Sequence, residues 1–171
     1  MSYFSKKIIS WQKINGRNNL PWQAKSPYHV WISEIMLQQT QVKTVIPYFH
    51  KFIKSFPSIK SLAKSDLDKV LANWSGLGYY TRAKNIHRAS KIIHQKFNGV
   101  IPNDYEQLIE LPGIGESTAG ALLSLAFDEP GIILDGNVKR VLLRFLGDKS
   151  PINHSRTQKE LKKLSLIHIS E

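Results

Sequence analysis

Two carboxylates in this sequence stand in surroundings that would drive them to opposite protonation states. Glu34 lies inside "SEIMLQQTQV" (33–42), with Trp31, Ile35 and Leu37 around it. Desolvation there favours the neutral acid and so a proton donor. Asp135 lies in "ILDGNVKR" (133–140), just ahead of a helix that Gly136-Asn137 would open. The positive end of that helix favours the anion. A retained proton on one carboxyl and a retained charge on another are the needs of acid-assisted cleavage through a cationic transition state, as in sugar hydrolysis. Taken alone, Asp135 reads first as a plain helix N-cap, the commonest use of Asp at such a position. Gln38, Gln39 and Gln41 follow Glu34 closely and add uncharged hydrogen-bonding groups to an apolar stretch.

The elements that must position these groups read as helices. Ser26-Pro27 looks like a cap followed by proline in the first turn, leading into "YHVWISEIML". Thr44 to Pro47 is expected to open the next helix, burying Phe49, Phe52, Ile53 and Phe56. Asp66 starts "LDKVLANW", which stops at Gly76. "TRAKNIHRASKIIHQKF" places Ala83, Ile86, Ala89, Ile93 and Phe97 at helical spacing and closes at Gly99. Asn103 and Glu106 suggest a capping box. "STAGALLSLAF" and "NVKRVLLRFL" are further helices, and the N-terminal stretch reads as an amphipathic one with Phe4, Ile8 and Trp11 on one side. No alternating strand pattern stands out, so the expected fold class is all-α.

The 171 residues include 42% hydrophobic positions, enough for a packed core. Lys and Arg outnumber Asp and Glu by 24 to 13, a formal charge of +11 spread along the chain. That excess fits a polyanion partner and equally a basic protein from a Lys-, Ile- and Asn-rich proteome. With no cysteine, disulfides, thiol catalysis and cysteine-ligated metals are excluded within this sequence. The six histidines form no metal-like cluster with acids, and no metal site is expected. No apolar run is long enough to span a membrane, and no secretory signal is evident, so the cytoplasm is the expected location.

Two glycine-bearing loops complete the pattern. "GLGYY" (76–80) joins two helices, and "LPGIGES" (111–117) joins two more. The second would set free N–H groups beside a helix N-terminus, an anion-binding arrangement. It matches the helix-hairpin-helix that grips a DNA backbone.

"LPWQ" (20–23), "PYHVWISEIMLQQTQV" (27–42), "GLGYYTRAKNIH" (76–87), "LPGIGESTAGALLSLAF" (111–127) and "ILDGNVKR" (133–140) occur in that order. Together they resemble the adenine DNA glycosylases of the MutY type, within the helix-hairpin-helix glycosylase superfamily, over roughly residues 1–164. The resemblance implies a six-helix barrel over 22–131, with 1–21 and 132–164 forming part of a second helical domain. It implies removal of adenine mispaired with 8-oxoguanine or guanine, after the base is flipped out of double-stranded DNA. Glu34 would then protonate adenine, and Asp135 would face the developing oxocarbenium ion, with Asn137 positioning the catalytic groups. Gln39 would enter the duplex beside the flipped site, and Tyr79 would wedge next to the opposite base. Gln38 and Gln41 would support their helix. Leu20 and Trp22 match residues lining the adenine pocket. The expected DNA contacts also include Arg82, Lys84, the Gly113, Ile114 and Gly115 backbone, Ser117, Lys139 and Arg140. Lys139 matches a lysine near the active site that base removal does not need. A monomer bound to DNA in the bacterial nucleoid is the implied state.

The resemblance also implies a 4Fe–4S cluster in the full-length family member, yet this chain has no cysteine ligand for it. Residues 165–171, "SLIHISE", depart from the family pattern and read as a non-native tail on a truncated chain, with weak stability and activity expected of that form. Two alternatives compete. An endonuclease III-like glycosylase for oxidised pyrimidines would carry a catalytic lysine where Ser117 stands. A noncatalytic helix-hairpin-helix DNA-binding module would need the hairpin but neither Glu34 nor Asp135.

Overall fold

Helix α2 (Pro27–Leu37) is the element around which the others assemble. Tyr28, Val30, Trp31, Ile32, Ser33, Ile35 and Met36 are all buried, leaving Glu34 as its half-buried acidic residue. A helix apolar on nearly every side must be enclosed, and α3 (Val42–Ser55), α6 (Thr81–Lys96) and α8 (Glu116–Ala126) pack against it. Helices α4 (Ile59–Ala63) and α5 (Leu67–Trp74) lie on α6, and α7 (Tyr105–Ile109) pairs with α8. Helices α1 (Tyr3–Asn15) and α9 (Gly136–Leu146) complete the order. The structure, a computed structural model, describes residues 3–17, 19–23, 26–151 and 157–162. Among these there is no strand, as the sequence leads one to expect. The proposed tail at 165–171 lies outside the described residues.

Burial falls into two clusters. The larger runs from Trp22 to Leu123 and includes the fully enclosed Trp31, Phe52, Phe56 and Trp74. Truncating any of these aromatics to alanine removes about 3–5 kcal/mol. The smaller contains Leu134, Leu142, Leu143 and Leu161, with Phe4, Ile132 and Val138 against it. Phe4 of α1 stacks on Phe145 of α9 at 3.9 Å. The rest of the expected α1 face is not covered by the described residues, since Ile8 and Trp11 are exposed.

Several local signals fall where the sequence puts them. Ser26 is the N-cap of α2 with Pro27 following, although its hydroxyl pairs with His29 Nδ1 at 2.6 Å rather than with a backbone amide. Asp66 is the N-cap of α5, and the Gly99 N–H closes α6 by donating to Ile93 O at 3.0 Å. Two signals shift. Helix α3 begins at Val42 instead of Thr44–Pro47, because Gln41 O already accepts from the amides of Thr44 and Val45 at 3.0 and 3.1 Å. Pro47 is therefore inside the helix, near enough to its start that its missing N–H orphans only the carbonyl of exposed Lys43. The cap of α7 is Asp104, whose carboxylate accepts from Gln107 N at 2.9 Å, so the Asn103–Glu106 box does not form.

Candidate active site

A cleft of about 1460 Å³ opens between the C-terminal half of α2, the start of α3, α8 and the N-terminus of α9. Glu34 and Asp135 both line it. Burial pushes the Glu34 carboxyl above its usual range, and the nearby Asp135 charge pushes it further the same way. Asp135 is exposed and caps α9, its Oδ1 accepting from Asn137 N at 2.9 Å and Val138 N at 2.8 Å. The Glu34 carboxyl is thus held toward its protonated form, while Asp135 accepts two N–H donors at a helix N-terminus.

What sets Asp135 opposite Glu34 is the contact between α8 and the segment before α9. A Cβ on Gly120 would stand 2.0 Å from Ile132 O, and one on Gly131 would stand 2.0 Å from Gly120 O. Backbone meets backbone here, which explains the glycine in "STAGALL". The Gly120→Ala variant should lose about 1–3 kcal/mol by overpacking and draw Asp135 off Glu34. Thermal unfolding checks this, and a variant with native stability would refute the close approach.

Arg17, Leu20, Gln38, Gln39, Gln41, Lys43, Ser117, Asn137 and Arg140 share the cleft. Leu20 reaches it because Gln23 folds its loop, accepting from Leu20 N at 2.8 Å and donating to Arg17 O at 2.7 Å. The final residue of "LPWQ" is thereby accounted for. Gln38 Nε2 donates to Thr118 Oγ1 at 3.4 Å, linking α2 to α8. Arg140 Nη2 donates to Asn137 Oδ1, so these two line the cleft as a pair. Arg17 and Lys43 form part of its cationic lining, and the sequence reading missed both. Their one available signal is a basic residue within a few positions of a cleft element.

Other expected residues stand elsewhere. Trp22 is a core residue, its ring edge-on to Phe49 at 5.2 Å, and it does not line the cleft. Lys139 lines a second cavity, of about 380 Å³, together with Ser117, Glu116 and Lys162. Since α9 turns successive residues by about 100°, Lys139 points away from the face that holds Asn137 and Arg140. Arg82 is only 8% exposed, and its terminal nitrogens donate to main-chain carbonyls. It does not present itself to a phosphate, whereas Lys84 is exposed.

Gln39 and Tyr79 are exposed, and both have left-handed backbones, with φ of 57° and 51°. Such conformations cost on the order of 1–3 kcal/mol each away from glycine, so the surroundings must enforce them. In the hairpin between α7 and α8, Gly113 has φ +83°, and a Cβ there would stand 2.9 Å from Asn85 Cβ. Ile114 is buried and its N–H already donates to Leu111 O at 3.1 Å. The anion-binding potential of this loop therefore rests on Gly113, Gly115 and the first amides of α8, not on a full run through 113–115. Ser117 lies in that first turn.

The residues present do not fit an iron–sulfur cluster. There is no cysteine, and no group of three or more His, Asp or Glu among the described residues could hold a metal ion.

Comparison with known proteins places this cleft in a lineage. Residues 32–165 match the family model "HhH-GPD superfamily base excision DNA repair protein". The adenine DNA glycosylase of Buchnera aphidicola subsp. Baizongia pistaciae is 62% identical over 143 residues, covering 83% of this chain. The chain spans 41% of that relative's length. A thermostable thymine-DNA glycosylase has the same fold, with a TM-score of 0.84 at 22% identity, covering 98% of this chain and 82% of its own. Endonuclease III, solved in a non-covalent complex with DNA, gives a TM-score of 0.74 at 22% identity, with 96% and 82% covered. The chain belongs to the HhH-GPD superfamily of base excision DNA repair proteins.

Proposed function

We propose that this chain carries the catalytic residues of an adenine DNA glycosylase that hydrolyses the N-glycosidic bond of adenine opposite 8-oxoguanine or guanine. The observation that carries the reading is the pair Glu34 and Asp135, opposed in one cleft and differing in environment. Glu34 donates a proton to the adenine ring, which makes it a better leaving group. Asp135 stabilises the positive charge that grows on the sugar as the bond breaks, and water completes the hydrolysis. Asn137, tied to Arg140, keeps the Asp135 side of the cleft in register.

Duplex DNA is the proposed partner. Gln39 and Tyr79 fill the space left by the flipped base, the amide meeting base edges and the ring replacing lost stacking. Gly113, Gly115 and the start of α8 hold a phosphate, with Lys84, Arg17, Lys43 and Arg140 adding positive charge. The two hydrophobic clusters support a division into a barrel at 22–131 and a second helical unit from 1–21 and 132–164. The bacterial relative supports action on the nucleoid in the cytoplasm. The step stops at base removal, because Ser117 supplies no amine to attack the sugar.

The test is single-turnover excision by the full-length protein on duplexes with adenine opposite 8-oxoguanine, guanine or thymine. Adenine release from the first two and not the third is expected. Release of an oxidised pyrimidine instead would overturn the reading. Binding should weaken with salt at a slope near −0.9 per phosphate contacted, and a flat response would refute the phosphate grip.

A further inference from the structure

Arg82 is the most enclosed cation of the described residues, and nothing in the catalytic scheme uses it. Its Nη1 donates to Met36 O at 2.7 Å, Gln38 O at 2.6 Å and Ile35 O at 3.1 Å. These carbonyls lie at the C-terminal end of α2 and its cap, where Gln38 N also donates to Ile35 O at 3.4 Å and Thr40 Oγ1 to Gln38 O at 3.3 Å. Its Nη2 donates to Gly78 O at 3.2 Å and, at a longer 3.5 Å, to Leu77 O. Trp74 Nε1 also donates to Gly78 O, at 3.0 Å. The guanidinium lies 5.4 Å from the Trp74 ring and 5.2 Å from the Tyr79 ring. One planar cation therefore holds the carbonyl immediately before Gln39 and the carbonyl immediately before Tyr79. Gln39 and Tyr79 are two of the four exposed non-glycine residues with left-handed backbones among the described residues.

We propose that Arg82 is a positioning residue that sets Gln39 and Tyr79 as one rigid unit, so that both enter the duplex together. This rests on the proposed role of those two residues in DNA. The chemistry requires arginine. Only a planar fork of five donors reaches two separate carbonyl groups in fixed directions while its faces meet aromatic rings. A lysine ammonium is a point charge and serves one set or the other. The sequence alone suggests a different role, a phosphate contact from an arginine in a basic helix, and the two roles give different results.

The experiment compares the full-length protein with Arg82→Lys and Arg82→Gln. Amide hydrogen exchange is read at 38–40 and 78–80 without DNA. Stopped-flow fluorescence of 2-aminopurine, placed beside the target adenine, reads unstacking in the duplex. In both variants the two segments should exchange faster together, the fluorescence rise should be lost, and excision should fall roughly 10²-fold from misplacement. Duplex affinity and its salt slope should stay at the native values. Unchanged exchange, or loosening of one segment alone, overturns the clamp. Faster exchange with the fluorescence rise intact overturns its role in insertion. A salt slope lower by about 0.9 in Arg82→Gln, with unstacking retained, identifies a phosphate ligand instead. If the native protein neither unstacks the duplex nor releases adenine, the proposed function fails, while the exchange measurement still decides whether Arg82 couples the two loops.

Discussion

Replacing Glu34 by glutamine should lower single-turnover adenine excision on the order of 10²–10⁴-fold and leave duplex binding nearly unchanged. Glutamine keeps the shape of the side chain and its ability to hydrogen-bond, but it has no acidic proton to give. The pH dependence follows from the direction of the shift. Burial first, and Asp135 second, hold the Glu34 pKa above its ordinary value. Its active acid form therefore persists above about pH 4.3, where an unperturbed glutamic acid is half ionised. Excision should decline as pH rises through the raised pKa. Stability has the same sign. The folded state binds this proton more tightly than the unfolded state, so the contribution is complete below the unfolded pKa and is lost as pH rises through the folded one. At neutral pH the glutamine variant should unfold at the native temperature or above it, so lost activity cannot be attributed to unfolding. Near-normal excision by this variant would remove Glu34 as the acid.

How far the sequence anticipated this site depends on what each residue's role rests on. Glu34 was legible because its apolar neighbours are local in sequence, and a half-buried acid on an apolar helix has few structural uses. The hairpin was legible because two glycines and a small-residue helix announce tight backbone geometry. Gly120 illustrates the limit. Its small size is visible in the sequence, but its partner, the backbone of Gly131 and Ile132, becomes apparent only once the chain folds back on α8. Trp22 and Arg82 stand apart from their expected positions for a related reason. An indole beside a pocket motif looks like a lining residue until Phe49 offers it an edge in the core. An arginine in a basic helix looks like a phosphate ligand until five carbonyls, from the end of α2 and the loop before α6, surround it. Lys139 was placed by the family resemblance, whereas helix rotation sends it to the second cavity. In each case the deciding partner lies far along the chain or on another helix face.

Asp135 is where a structural and a catalytic role coincide, and two substitutions separate them. Its Oδ1 accepts from the Asn137 and Val138 amides, which any good N-cap would do. An asparagine oxygen can accept the same two bonds, so Asp135→Asn should retain the cap and the thermal midpoint. Asp135→Ala loses the cap and should cost about 1 kcal/mol. Excision should respond differently. A neutral amide cannot stabilise the growing sugar cation, so Asn and Ala variants alike should lose roughly 10²–10³-fold, the scale of one preorganised electrostatic group. Removing the Asp135 charge also relieves the second cause of the Glu34 shift, so whatever excision remains should decline at lower pH than in the native protein. If Asp135 were only a cap, Asp135→Asn would match the native protein in rate, pH profile and midpoint. Single-turnover rates across pH, measured beside thermal unfolding of the same two variants, distinguish these outcomes, and an active Asp135→Asn would leave Glu34 without its anionic counterpart.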